Sequence, residues 1–210
     1  MTRRFPVYLI LDTSGSMLGE PIAAVNNGLK VLVSALMQDP HALESVHISI
    51  ITFDRAAKVV LPLTPIDGVV LPEITTPDSG PTHLGDALSL LERQFNKDVT
   101  RSDENTKGDW APFALVMTDG KASDRQTFEK MTSRIQGLGF GSIIGCLAGP
   151  DANQEDLKKF CDPVVSLDTL DNQTFASLFK WVSTAIAGKN RSLGAADEIS
   201  LPPPPTHINI

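Results

Sequence analysis

Asp12, Ser14 and Ser16 stand at alternate positions in LILDTSGSM (residues 9–17), directly after an apolar run. Alternate side chains of an extended segment point the same way, so one carboxylate and two hydroxyls converge. Two further segments carry matching groups, Thr82 in DSGPTHLGDAL and Asp119 in PFALVMTDG. Two carboxylates and three hydroxyls suit a hard divalent cation, Mg2+ or Mn2+, with Ca2+ a lesser fit. Neutral hydroxyls in direct contact leave such a cation undercompensated and ready for an acidic ligand from outside. That is a docking chemistry. Each residue also has a plainer role: Asp12 and Asp119 as turn residues, Ser14 and Ser16 as loop residues, Thr82 as a helix cap.

Convergence requires elements that bring three distant segments to one rim. Phe5 to Leu11 reads as a strand, and Val46 to Phe53 as another, with Lys58–Leu61 as a short hairpin partner. Pro62 and Pro65 are expected to end regular structure there. Further strands fall at Phe113–Met117, Ser142–Leu147 and Val164–Leu167. Between them, Ile22, Val25, Leu29, Leu32 and Leu36 stripe one helix face, and Leu84, Leu88, Leu91 and Phe95 another. A helix over about 124–136 is expected to stop at Gly137 and Gly139, both read as positive-φ positions. The last helix shows Phe175, Leu178, Phe179, Val182 and Ile186 on one face.

Alternation of this kind predicts an α/β fold: a doubly wound, mostly parallel six-stranded sheet with helices on both faces. In such sheets ligands gather beyond the carboxyl ends of the strands, where Asp12 and Asp119 fall. The domain is expected over 1–188. Residues 189–210 read as a polar, proline-rich flexible tail, with Pro202 to Pro205 in polyproline II.

The chain has 210 residues and a formal charge of -7, with no clustered Lys and Arg, which argues against a nucleic-acid partner. No apolar run approaches the roughly 20 residues that span a bilayer, so no membrane role is expected. Cys146 and Cys161 are too far apart for a redox pair and too few for a zinc site, and read as core residues. With no secretory segment or disulfide framework, the expected compartment is the cytoplasm.

Asp12-x-Ser14-x-Ser16, Thr82 and Asp119 together resemble the metal-ion-dependent adhesion site (MIDAS) of von Willebrand factor A (vWA) domains, over about residues 3–187. The resemblance implies a Rossmann-like sheet with one short antiparallel edge strand, for which Lys58–Leu61 is the candidate. It implies that Ser14, Ser16 and Thr82 touch the metal directly. Asp12 and Asp119 would act through water, or Asp119 directly when the site rearranges. Finer details in DTSGSMLGEPI, SGPTHLGDAL and WAPFALVMTDGKASD are similar to the intracellular TerY-type proteins of tellurite-resistance and chemical-stress operons. That likeness implies phospho-signalling partners, a serine/threonine kinase-like protein and a metal-dependent protein phosphatase. The Cys-rich zinc segment of some relatives has no counterpart in this sequence.

The alternative is a phosphohydrolase of the haloacid dehalogenase type, which also places an aspartate after its first strand. Its general acid/base is a second carboxylate two residues on, where this chain has Ser14. A non-enzymatic binding module is therefore the expected class. His83 and Asp86 read as helix-surface residues beside Thr82, Trp110 as a lid over the core, and Lys121 as a solvated loop lysine. His41 and His47 have no spaced partners that would make them ligands.

Overall fold

Phe5–Asp12 (β1) is buried at every position, as a strand covered on both faces must be. Val7, Leu9 and Leu11 enter one hydrophobic core, while Tyr8 and Ile10 enter a second on the opposite face. The computed structural model describes residues 3–78, 80–149, 154–192, 202–206 and 208–209. The other strands are Val46–Phe53 (β2), Ala57–Pro65 (β3), Phe113–Thr118 (β4), Ser142–Leu147 (β5), Val164–Leu167 (β6) and Ile208–Asn209 (β7). They form one sheet in the order β3-β2-β1-β4-β5-β6-β7, parallel except for β3 and β7 at the two edges.

Helices Glu20–Met37 (α1) and Asn172–Ser192 (α6) cover one face; Leu84–Asp98 (α3) and Arg125–Gln136 (α4) cover the other. Two short helices, Pro40–Ser45 (α2) and Gln154–Leu157 (α5), lie in the connections. α1 and α6 meet so closely that a Cβ on Gly28 would fall 2.2 Å from Phe179 Cδ2. Cys146 and Cys161 are free and buried, one in each core, and burial pushes both thiols up.

Several expectations need correction. Among the described residues the sheet has seven strands and two antiparallel edges, because Ile208–Asn209 of the tail pairs with β6. Ile208 is buried in the core, so this part of the tail is docked rather than solvated. β3 runs through Pro62 and Pro65, which an edge strand tolerates because one side of its backbone carries no ladder. Register shifts opposite Ile50 accommodate the irregularity. Gly139 has φ 92°, but Gly137 is a right-handed helical C-cap at φ -80°. α6 extends to Ser192, four residues past the expected end. α2 was not foreseen, although Asp39 accepts from His41 N and Ala42 N, each at 3.0 Å, ahead of a Pro at the first turn.

Trp110 is half-buried against the core with the Arg3 guanidinium 3.6 Å above its ring, which fits a lid at the amino ends of the strands.

Candidate metal centre at the carboxyl edge of the sheet

After β1 the chain winds outward through β2 to β3, whereas β4, β5 and β6 proceed the other way. The reversal falls between β1 and β4, so loops leaving these two neighbours diverge and open a crevice at their carboxyl ends. Asp12 closes β1, and Asp119 directly follows β4. The register pairs Leu11 with Met117, which puts both aspartates on the same rim.

Asp12 is 1% exposed. One carboxylate oxygen accepts from Ser14 N at 2.8 Å, and the other from Thr118 Oγ1 at 2.6 Å. Burial raises its pKa from 3.8 to about 6; the bonds from Thr118 and Ser14 oppose that rise and the charge of Asp119 adds to it. Ser14 Oγ lies 3.2 Å from Ser16 Oγ and donates to Asp119 Oδ1 at 3.4 Å. The loop holds this shape through a 3-10 turn, Gly15–Met17, whose Met17 is fully buried. Met17 anchors the turn in the core and leaves the preceding Ser16 exposed. Asp12, Ser14, Asp119 and Ser16 thus run from a sealed carboxylate to an open hydroxyl.

Thr82 comes in from the loop before α3. Its N–H donates to Ser123 Oγ at 3.3 Å and its carbonyl accepts from Ser123 N at 2.8 Å, which fixes it beside the β4–α4 loop. A Cβ on Gly120 would lie 3.0 Å from Thr82 Oγ1, so the hydroxyl faces the residue after Asp119. Gly15 N also reaches Gly80 O at 3.5 Å, which joins the first and second segments. Thr82 is not the cap of α3. The Asp124 carboxylate takes that part from across the crevice, accepting from Gly85 N at 3.0 Å and Asp86 N at 2.8 Å.

Sequence reasoning missed three positioning groups, Thr118, Ser123 and Asp124. Thr118 sits inside the MTDG already singled out, where a strand-end hydroxyl beside a buried acid is the available signal. Asp124 had no local signal, because the helix it caps lies 39 residues earlier. His83 and Asp86 do more than line a helix surface. His83 Nδ1 lies 2.8 Å from Arg55 O and Asp86 Oδ2 accepts from Ala57 N at 2.8 Å, so both fasten the β2–β3 turn. Lys121 is exposed.

Among the described residues no group of three or more His, Cys, Asp or Glu could hold a metal. The cluster itself brings two carboxylates and three hydroxyls, with no Cys or His among them. Two carboxylates interleaved with hydroxyls fit a hard cation, and the buried Asp12 is a carboxylate whose charged form is only partly compensated by its two hydrogen bonds. Ser14, bonded to Asp119 and Ser16, gives no titratable acid where a dehalogenase-type enzyme needs one.

Residues 7–121 match the family model of the von Willebrand factor type A domain. No curated protein sequence matches the chain. A von Willebrand factor type A structure from Catenulispora acidiphila aligns with TM-score 0.67 and 18% identity, over 90% of this chain and 44% of that one. The PilB minor pilin from Streptococcus sanguinis aligns with TM-score 0.70 and 12% identity, over 93% and 64%. Proximal thread matrix protein 1 from the mussel byssus, solved with a zinc-occupied MIDAS motif, aligns with TM-score 0.60 and 16% identity, over 88% and 48%. The chain thus spans about half the length of the first and third of these.

Proposed function

Because the chain belongs to the von Willebrand factor type A domain family, we propose that it is a non-enzymatic, metal-dependent protein-binding module. Ser14, Ser16 and Thr82 would hold a divalent cation, Mg2+ or Mn2+, with Asp12 and Asp119 supplying the negative charge. When bound, the cation supplies a positive centre that takes an Asp or Glu side chain of a partner protein. The observation that carries this reading is the run of contacts in which Ser14 donates its N–H to Asp12 while its Oγ lies within 3.4 Å of oxygens of both Asp119 and Ser16.

The residues divide the work by exposure. Asp12 is sealed below and cannot reach a partner, so its part is to hold charge and, through Ser14 N, to shape the loop. Ser16 is exposed and faces whatever arrives. The TerY-like segments extend the proposal to a cytoplasmic stress-response or phospho-signalling scaffold, with a kinase-like protein and a metal-dependent phosphatase as partners. No helix among the described residues is long and apolar enough to cross a membrane.

Calorimetric titration with Mg2+, Mn2+ and Zn2+, followed by a blocked glutamate-containing peptide, tests the reading. The expected result is peptide binding that EDTA abolishes and that Thr82→Val weakens at least tenfold. Metal binding with no gain in peptide affinity would leave the cation a purely structural role and overturn the docking function. Unchanged metal affinity in both Asp12→Ala and Thr82→Val would remove the site itself.

A further inference from the structure

The proline run at the C-terminus has a receptor within the same chain. Trp181 Nε1 donates to Pro202 O at 2.9 Å. Pro202, Pro203 and Pro205 line, together with Lys180 and Trp181 of α6, a groove of about 340 Å3. Beyond the prolines the backbone turns, with Ile208 N donating to Pro205 O at 2.9 Å, and then joins the edge of β6. Ile208 enters the core, and Asn209 Nδ2 donates to Asp168 Oδ1 at 2.7 Å.

These contacts combine two general ways of holding an extended segment. Prolines cannot donate to a ladder, but their carbonyls accept, and an indole that offers both a ring and an N–H suits a polyproline II helix. The free edge of β6 then takes a strand, with one aliphatic side chain inserted as its anchor. We propose that this face of α6 and β6 is a binding site for proline-rich segments of partner proteins, and that the chain's own tail occupies it in cis as a displaceable strap. The partner segment would present a proline carbonyl to Trp181 and an aliphatic residue six positions later, in the place of Ile208. None of the contacts named here involves Asp12, Ser14, Ser16, Thr82 or Asp119.

The strap is built to yield. Its ladder covers two residue pairs, and Pro203 is exposed. Covalent attachment holds it at a local concentration on the order of millimolar, so a free segment competes poorly with the intact chain. Weakening the tail should therefore unmask the site.

The test uses the full chain and a fluorescein-labelled decapeptide, LPPPPTHINI, read by fluorescence anisotropy. Pro203→Ser, Pro205→Ser and Ile208→Asp, combined in one variant, should bind the peptide at least tenfold more tightly than the unaltered chain. Adding Trp181→Phe, which keeps a ring but removes the donor, should reverse that gain, and a scrambled peptide should not bind. Equal binding by the folded variant and the unaltered chain, or indifference to Trp181→Phe, overturns the proposal. Hydrogen exchange on the unaltered chain decides the matter if the variant fails to fold. The amides of Ile208 and Asn209 should exchange at least a hundredfold faster than those of β1, and exchange only through global unfolding overturns the strap.

Discussion

Thr118 Oγ1 donates to Asp12 Oδ2 at 2.6 Å, across the seam between two neighbouring parallel strands. Both residues are 1% exposed, so neither could meet a partner, yet they end the two strands whose loops open the crevice. Thr118 therefore acts on the site through Asp12, by holding the carboxylate and by favouring its charged form. Thr118→Val keeps the shape and deletes the donor. A hydrogen bond to a charged group contributes about 1.5–3 kcal/mol, so Mn2+ affinity should fall about 10- to 150-fold in calorimetric titration. Unchanged affinity would restrict Thr118 to a strand-packing role.

The pH dependence follows from Asp12. Its pKa in the fold, about 6, lies above the ordinary 3.8. The protonated form is therefore the one the metal-free fold prefers. Its contribution is complete below pH 3.8 and is lost as pH rises through about 6. The shift corresponds to about 3 kcal/mol, at 1.36 kcal/mol per pH unit. Asp12→Asn should accordingly raise the melting temperature of the EDTA-treated protein at pH 7.5 while abolishing stabilisation by Mn2+. Metal affinity of the unaltered chain should fall about tenfold per unit as pH drops below 6. A melting temperature that falls in Asp12→Asn without metal would show that the carboxylate is already compensated by the fold.

The strands and the rim were legible because burial on both faces writes itself as unbroken apolar runs. Val7 to Leu11 and Leu115 to Met117 needed no alternation to be read. Asp12 and Asp119 were legible for the same reason, since a charge directly after such a run must sit where the strand leaves the core. Edges were harder. Pro62 reads as a breaker only if the strand is central, and nothing local says that β3 lies at the sheet's margin. Ile208–Asn209 is too short to show a period, and its partner β6 lies some 40 residues earlier. The site's supports were hidden likewise. Thr82 looks like a helix cap by position, and only the fold reveals that Asp124 has taken over that task.

Gly120 tests how closely Thr82 must stand to the second aspartate loop. Its φ is not positive, so a side chain strains nothing in the backbone itself. The added Cβ of Gly120→Ala would meet Thr82 Oγ1 at 3.0 Å, tighter than ordinary contact. The hydroxyl should move by a few tenths of an ångström, which weakens Mn2+ binding severalfold and leaves the melting temperature nearly unchanged. Gly28→Ala provides the contrast. Its Cβ would fall 2.2 Å from Phe179 Cδ2 between α1 and α6, so it should destabilise by about 1–3 kcal/mol and spare the metal affinity of the folded fraction. Equal losses of stability in both variants would show that Thr82 cannot yield independently of the core.

Asp124 couples the same threonine to α4. Its carboxylate accepts from Gly85 N and Asp86 N, the open amides at the start of α3, while heading α4 itself. Thr82 precedes those amides by three and four residues and is tied to Ser123 on the other side. Asp124→Ala removes two charge-assisted bonds at a helix N-terminus and should cost about 1–2 kcal/mol of stability. Freed from this brace, the loop should no longer hold Thr82 in place, so metal affinity should also fall. A double-mutant cycle separates the two effects. If Asp124 acts through Thr82, then adding Asp124→Ala to Thr82→Val should reduce Mn2+ affinity by much less than Asp124→Ala does alone. Full additivity in affinity would mean that Asp124 reaches the site by another route, and that the brace serves stability only.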